Sequence, residues 1–462
     1  EWVRITTLGC CREVGRAAFI LSTPETRILI DCGDKPGAEG EVPYLQVPEA
    51  LGAGAATLDA VVLTHAHLDH SALLPLLFKY GYDGPIYTTE PTRDLMGLLT
   101  LDYLDVAAKD GRTPPYESAQ VRDAIKHTIP IEYGDVTDIA PDIKLTFHNA
   151  GHILGSAVTH FHVGDGLYNV AFSGDIHYED TRLFNGAVND FPRVETLVLE
   201  STYGGRDDYQ TDQADSEEAL KKVINETYDQ GGKVVIPAFA VGRSQEIMLV
   251  LEEAMRNGDI PEMPVHLDGM IWEATAIHTT YPEYLRDDLR DRIFHDDENP
   301  FLAEQFNHID AGEDERQDVT DGDQCIIVST SGMIEGGPIM SWLRHIGPDP
   351  DSNLVFVGYQ AQGTLGRRIQ NGWDEIPVDG WGGSSRGDTL TLEMGPEVVD
   401  GFSGHADRQG LENFVKTMNP RPEKVLCVHG DERSVQDLSS ALYHDYNMRT
   451  FAPKNLETFR FK

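Results

Sequence analysis

The apolar run Val61-Val62-Leu63 leads directly into Thr64-His65-Ala66-His67-Leu68-Asp69-His70. Four metal-type donors, His65, His67, Asp69 and His70, fall within six positions at the end of a predicted buried strand. Imidazole and carboxylate on two sides of one loop suit borderline divalent ions, and the donors are numerous enough to begin two coordination shells. A chain with this feature must fold so that further donors reach the same place. His152 lies in Asn149-Ala150-Gly151-His152-Ile153-Leu154-Gly155-Ser156, where glycine lets the backbone pass close to an ion. Phe172-Ser173-Gly174-Asp175 ends another strand with a carboxylate, the side chain able to bridge two cations. Val425-Leu426-Cys427-Val428-His429 delivers a last imidazole from a third strand end. The set reads as a two-metal hydrolase centre whose nucleophile is activated water. Ser173 and Cys427 are the rival nucleophiles, but no base is left for them that the donors have not claimed.

These donors occur before residue 206 and again after residue 400, so two distant segments must meet at one site. At 462 residues the chain is also too long for one ordinary core. Both facts require a domain interrupted by an insertion. The expected division is a first domain from residues 1–206 and 381–462, with residues 207–380 inserted. Inside the insertion, Gly231-Gly232-Lys233-Val234-Val235-Ile236-Pro237 reads as a buried strand, and Val241-Gly242-Arg243-Ser244-Gln245-Glu246 opens a helix. Cys325-Ile326-Ile327-Val328-Ser329-Thr330-Ser331 and Leu354-Val355-Phe356-Val357-Gly358-Tyr359 repeat the pattern, so the insertion is expected to be a parallel α/β cap.

The donor motifs resemble those of the metallo-β-lactamase superfamily, and the resemblance implies an αββα sandwich for the interrupted domain. It further implies that His65, His67 and His152 hold one Zn2+, that Asp69, His70 and His429 hold a second, and that Asp175 bridges them. Leu73, Leu74, Leu76 and Leu77 would form the core face of the helix after His70. Two other strings are similar to motifs of the β-CASP family of nucleic-acid nucleases. Leu197-Val198-Leu199-Glu200-Ser201-Thr202-Tyr203 ends a strand with an acid, and Gly401-Phe402-Ser403-Gly404-His405-Ala406-Asp407 places an imidazole in a glycine turn. The resemblance implies catalytic roles for Asp69, Glu200 and His405, with His405 as general acid and Glu200 as its orienter. Histidine at position 429 resembles the RNA-processing branch, where the DNA-repair branch carries an apolar residue.

In the cap, Arg243 and Arg367 are expected as phosphate contacts, Ser329 and Ser331 as hydroxyl donors to the RNA backbone, and Tyr359 as a stacking surface. The competing reading pairs these arginines with the acids of a very acidic chain. The formal net charge is -40, which opposes binding of a polyanion. Of the 37 basic residues only 12 are Lys, against 25 Arg. Scarce lysine beside abundant carboxylate reads as halophilic adaptation, in which salt screens the repulsion. Arg286–Asp291 and Asp310–Asp323 are then solvated faces. Five cysteines, at 10, 11, 32, 325 and 427, lack metal spacing and argue against a disulfide framework. With no stretch of eighteen apolar residues, the expectation is a cytoplasmic protein that meets no membrane.

Over its whole length the chain most resembles the archaeal homologues of the cleavage and polyadenylation specificity factor endonuclease. Those carry RNA-binding KH domains upstream; none is visible here, and the sequence begins at Glu1 without Met. The resemblance implies a zinc-dependent endoribonuclease acting on single-stranded RNA in 3′-end processing and transcription termination, a homodimer, and contact with the transcription machinery. An RNase J-like 5′-to-3′ exoribonuclease and a small-molecule thioester or lactone hydrolase are the alternatives.

Overall fold

A computed structural model describes residues 1–38, 40–46, 54–109, 111–310, 312–378 and 387–462. The chain divides into two compact units: the first comprises Glu1–Ala108, Arg112–Tyr209 and Gly404–Lys462, the second chiefly Gln210–Ser403.

Two seven-stranded sheets form the centre of the first unit. One contains β1 (Arg4–Thr7), β2 (Phe19–Ser22), β3 (Arg27–Ile30), β4 (Ala60–Val62), β5 (Ile86–Thr88), β6 (Thr128–Pro130) and β22 (Thr458–Arg460), in the order β22-β1-β2-β3-β4-β5-β6. The other contains β7 (Thr137–Ala140), β8 (Ile143–Asn149), β9 (Ala157–Val163), β10 (Tyr168–Phe172), β11 (Thr196–Glu200), β20 (Lys424–Val428) and β21 (Arg449–Phe451), in the order β21-β20-β11-β10-β9-β8-β7. Side chains alternate between faces along a strand, and the alternation sorts the apolar residues into three layers of core. Phe19, Leu21, Ile28, Ile30, Ala60 and Val62 meet Val170, Phe172, Val198, Leu426 and Val428 between the sheets. Ile20, Leu29 and Val61 point the other way, onto Leu73, Leu74, Leu76 and Leu77, as the leucine pattern predicts. Ala171, Leu197, Leu199, Val425 and Cys427 likewise meet Leu411, Phe414, Val435 and Leu438 of the helices Arg408–Lys416 and Glu432–Tyr446. The result is helix, sheet, sheet, helix: the αββα sandwich.

The second unit contains a six-stranded parallel sheet of β12 (Val234–Pro237), β13 (Val265–Asp268), β14 (Phe306–His308), β15 (Ile326–Ser329), β16 (Asn353–Phe356) and β19 (Gly395–Val398), ordered β14-β13-β15-β12-β16-β19. The helix Gln213–Gln230 is capped by Asp212, which accepts the N–H of Asp215 at 2.9 Å, and ended by Gly231 at φ 87°. Gly258, at φ 77°, ends the helix Arg243–Asn257 in the same way, and at its start the Gly242 N–H donates to Gln245 Oε1 at 2.7 Å. The expected end of the insertion at 380 falls outside the described residues, and this unit continues to Ser403 because β19 pairs in parallel with β16. A hairpin of β17 (Glu375–Pro377) and β18 (Thr389–Thr391) precedes that pairing. Among the described residues, no helix is long and apolar enough to cross a membrane.

Candidate metal centre

Every donor singled out by the sequence lies beyond the end of a strand of the first unit, in the turn or short helix that follows. His65 and His67 follow β4, and the short helix Leu68–Ser71 carries Asp69 and His70. This loop is bonded to the chain beside it: Ala17 donates to the Asp69 carbonyl at 2.9 Å, Cys32 to that of His70 at 2.8 Å and Asp34 to that of Leu68 at 3.0 Å. The approach demands glycine at position 33, where a Cβ would sit 1.7 Å from the Asp69 carbonyl oxygen. Gly174, at φ 55°, turns the chain between β10 and Asp175. His429 follows β20 at φ 51°, with its N–H donated to the Cys10 carbonyl at 2.7 Å.

His65, His67, His152 and Asp175 form one group whose ligand atoms all lie within 4.8 Å of one another; Asp69, His70, Asp175 and His429 form a second. Asp175 belongs to both. Its Oδ2 is 3.4 Å from His65 Nε2, 3.3 Å from His70 Nε2 and 3.7 Å from His152 Nε2. His152 Nε2 and His67 Nδ1 are 3.0 Å apart, as are His429 Nε2 and Asp69 Oδ2. Among the described residues, His65 Nε2, His70 Nε2 and Asp175 Oδ1 are buried without a hydrogen-bond partner. Leaving three such atoms unsatisfied in one place is costly, and a bound cation removes that cost. The donor chemistry, imidazole nitrogen with carboxylate oxygen, is that of zinc.

A second set of bonds orients the ligand atoms, and sequence reasoning missed most of it. Asp31, 2% exposed, accepts His70 Nδ1 at 2.7 Å and the Thr64 N–H and hydroxyl at 2.8 and 2.9 Å. The Thr64 oxygen lies 3.0 Å from His65 Nδ1 and can accept its proton, which leaves Nε2 as the lone-pair atom. His152 Nδ1 donates to the Gly404 carbonyl at 2.7 Å, and Thr202 Oγ1 lies 3.0 Å from His429 Nδ1. Such partners fix tautomer and ring orientation. Asp31 repeats the pattern of a carboxylate at the end of an apolar strand, the one signal that could have found it. Ser173 is engaged already: its hydroxyl donates to the Gly174 carbonyl at 2.7 Å and accepts the Glu200 N–H at 2.9 Å.

Glu200, 1% exposed, places Oε1 2.9 Å from His405 Nδ1. The Ile176 N–H donates to the same oxygen and the Thr202 N–H to Oε2, both at 3.1 Å. Burial opposes charge on His65, His70, His152, His405 and His429. It wins at His65 and His152, whose pKa values fall. At His70 the carboxylates of Asp175, Asp69 and Asp31 outweigh burial, and at His429 those of Asp175 and Asp69 do so. Against the same burial, Glu200 and then Asp175 raise His405 to about 9. Burial would raise Asp69 and Asp175, but neighbouring imidazoles hold both below the usual carboxylate range.

The expected RNA contacts lie in the second unit and divide. Arg367 is exposed in the helix Leu365–Gln370, Tyr359 is half-buried, and Ser331 is half-buried with its hydroxyl donated to the Gly336 carbonyl at 3.0 Å. Arg243 and Ser329 do not face solvent: Arg243 is buried and donates to the Phe402 carbonyl at 2.6 Å, and Ser329 is wholly enclosed.

Comparison with known proteins agrees with this geometry. Residues 12–230 match the metallo-beta-lactamase superfamily, 244–369 the Beta-Casp domain, and 390–453 the Zn-dependent metallo-hydrolase RNA specificity domain. The transcription termination factor FttA of Methanosarcina mazei is 58% identical over 461 residues, a match covering 100% of this chain and 72% of that one. The factor of the same name from Methanothermobacter thermautotrophicus is 51% identical over 465 residues with the same coverage. A crystal structure of a protein of unknown function from Enterococcus faecalis V583 shares the fold, at TM-score 0.56, 14% identity and full coverage of both chains. The chain therefore belongs to the metallo-β-lactamase superfamily and, within it, to the β-CASP family of metal-dependent hydrolases that includes the archaeal FttA factors.

Proposed function

We propose that the protein is a zinc-dependent endoribonuclease that cleaves single-stranded RNA during 3′-end processing and transcription termination. The observation that carries this reading is the juxtaposition of two ligand groups sharing Asp175 with the buried Glu200–His405 pair. His65, His67 and His152 would hold one zinc, Asp69, His70 and His429 the other, with Asp175 between them. Divalent cations bound there supply Lewis acidity: they polarise a phosphoryl oxygen and acidify water.

The chain's own residues do the rest. Glu200 accepts the Nδ1 proton of His405, which fixes the ring and leaves Nε2 as the atom that meets substrate. The Glu200 carboxylate raises the pKa of His405 and so favours its protonated ring, which lets His405 enter the reaction as an acid and give its proton to the departing 3′ or 5′ oxygen. Asp31, Thr64 and the Gly404 carbonyl hold the imidazoles in the tautomers that ligation needs. Of the expected RNA contacts, Arg367, Ser331 and Tyr359 keep that role. A homodimer in the cytoplasm completes the reading as the resemblance implies it, and work beside the transcription machinery is supported by the relatives' name, transcription termination factor.

Cleavage of an unstructured RNA, labelled at the 5′ end or internally, tests it. Zinc-loaded wild type should yield internal fragments, and His405→Ala should lose about 10²–10⁴-fold, the usual worth of a general acid. Mononucleotides released only from 5′-monophosphate ends would establish the exonuclease instead. No cleavage of any RNA would refute the proposal.

A further inference from the structure

Arg408 begins the helix Arg408–Lys416, three residues beyond His405, and is 6% exposed. A buried guanidinium is costly unless its donors are matched. Its Nη1 donates to the Gly204 carbonyl at 2.7 Å, its Nε to Glu412 Oε1 at 2.5 Å, and its backbone N–H to the Asp208 carbonyl at 2.9 Å. Glu412 is steadied in turn by the Tyr446 hydroxyl, 2.9 Å from Oε2.

Gly204 closes a loop, two bonds of which lead to the candidate centre. Ser201 donates its N–H to the His429 carbonyl at 3.0 Å, Thr202 donates its N–H to Glu200 Oε2 at 3.1 Å, and Gly204 donates back to the Ser201 carbonyl at 3.0 Å. A Cβ at position 204 would meet the Ser434 carbonyl at 2.6 Å, so the loop lies hard against the helix Glu432–Tyr446. The turn carrying His405 is fixed on either side: the Gly404 carbonyl accepts from His152, and the Ala406 N–H donates to the Ile176 carbonyl at 2.7 Å. Arg408 reaches from the end of that turn to the end of the Glu200 loop.

We propose that Arg408 is a positioning residue: it ties the Glu200 loop to the His405 turn and so holds the Glu200–His405 pair in one geometry. The inference rests on the proposed role of His405 as acid. Without the guanidinium, the Gly204 carbonyl and the Glu412 carboxylate both lose a charge-assisted partner, and a shift of about 1 Å at a catalytic pair costs on the order of a hundredfold in rate. Lysine keeps the charge but cannot span both acceptors with a planar fork, so Arg408→Lys is not a conservative change here.

The test is a cycle of wild type, R408K, H405A and the double variant, each loaded with zinc and assayed on one single-stranded RNA. R408K should lower kcat roughly ten- to a hundredfold with KM changed less than about twofold, and should keep the wild-type zinc content and a cooperative thermal melt. In the H405A background the same change should move kcat by less than about twofold, because the pair it positions is gone. An equal loss in both backgrounds, an effect confined to KM, or loss of zinc from R408K would overturn the inference. Should R408K fail to fold, Glu412→Gln weakens the same tie; it should lower kcat in the His405 background alone, and an unchanged kcat would overturn the inference as well. Wild type that cleaves no RNA refutes the ribonuclease reading, whereas cleavage that needs His405 but is indifferent to Arg408 refutes this inference alone.

Discussion

Replacing Gly33 with alanine should disable half of the metal centre while leaving most of the fold standing. The added Cβ would lie 1.7 Å from the Asp69 carbonyl oxygen, 2.0 Å from its carbon and 2.4 Å from the His70 nitrogen, where ordinary contact begins at 3.4 Å. All three neighbours are backbone, so no side-chain rotation relieves the overlap, and the loop carrying Asp69 and His70 must retreat by more than an ångström. Overpacking of this kind costs about 1–3 kcal/mol of stability. A displacement of about 1 Å at a reacting centre costs on the order of a hundredfold in rate. His65, His67 and His152 make a separate ligand group, so the variant should keep about one of two zinc equivalents. Metal analysis, a thermal melt and RNA cleavage kinetics give the three readouts. Gly358→Ala is the control, since a Cβ there meets nothing within 4 Å among the described residues. G33A with full zinc and wild-type kcat would refute the argument that close backbone approach sets this loop.

Three further outcomes are expected. All five cysteines are buried, and burial pushes Cys11, Cys325 and Cys427 up to about 12, so a thiol reagent at pH 8 should label none in the native protein and five after unfolding; rapid labelling of any native cysteine contradicts this. Burial lowers His278 from 6.5 to about 4, so the unfolded chain takes up a proton that the folded one refuses: stability should be full above pH 6.5 and decline by up to about 3 kcal/mol toward pH 4. His278→Gln should flatten that decline in urea titrations, and an unchanged slope would show the imidazole is not responsible. From the net charge of -40, RNA cleavage should persist toward molar KCl, and a steady collapse above about 0.5 M would contradict the halophilic reading.

The donors of the centre were legible because each follows an apolar run, and a run that alternates between two cores has to end at the rim of a sheet, where loops begin. The residues that orient them were not. Asp31 meets His70 and Arg408 meets Gly204, pairings 39 and 204 positions apart that no local pattern encodes. Arg243 opens a helix after a glycine turn, the local grammar of a phosphate site, yet the fold directs it to the Phe402 carbonyl. The reach of the second unit to Ser403 was hidden because β19 contains Gly395, Pro396 and an exposed Glu397, a composition that carries almost no strand signal.

His429 extends a strand that lies between β11 and β21, yet it is made about 230 residues after Glu200. At 5–20 residues per second, the ribosome needs roughly 10–50 s to span that interval. During it the nascent first domain exposes the edge of β11 and offers only a partial set of donors. A stall or a slow codon within the insertion would lengthen that exposed period, so the length of the insertion bears on aggregation during synthesis as well as on the finished enzyme.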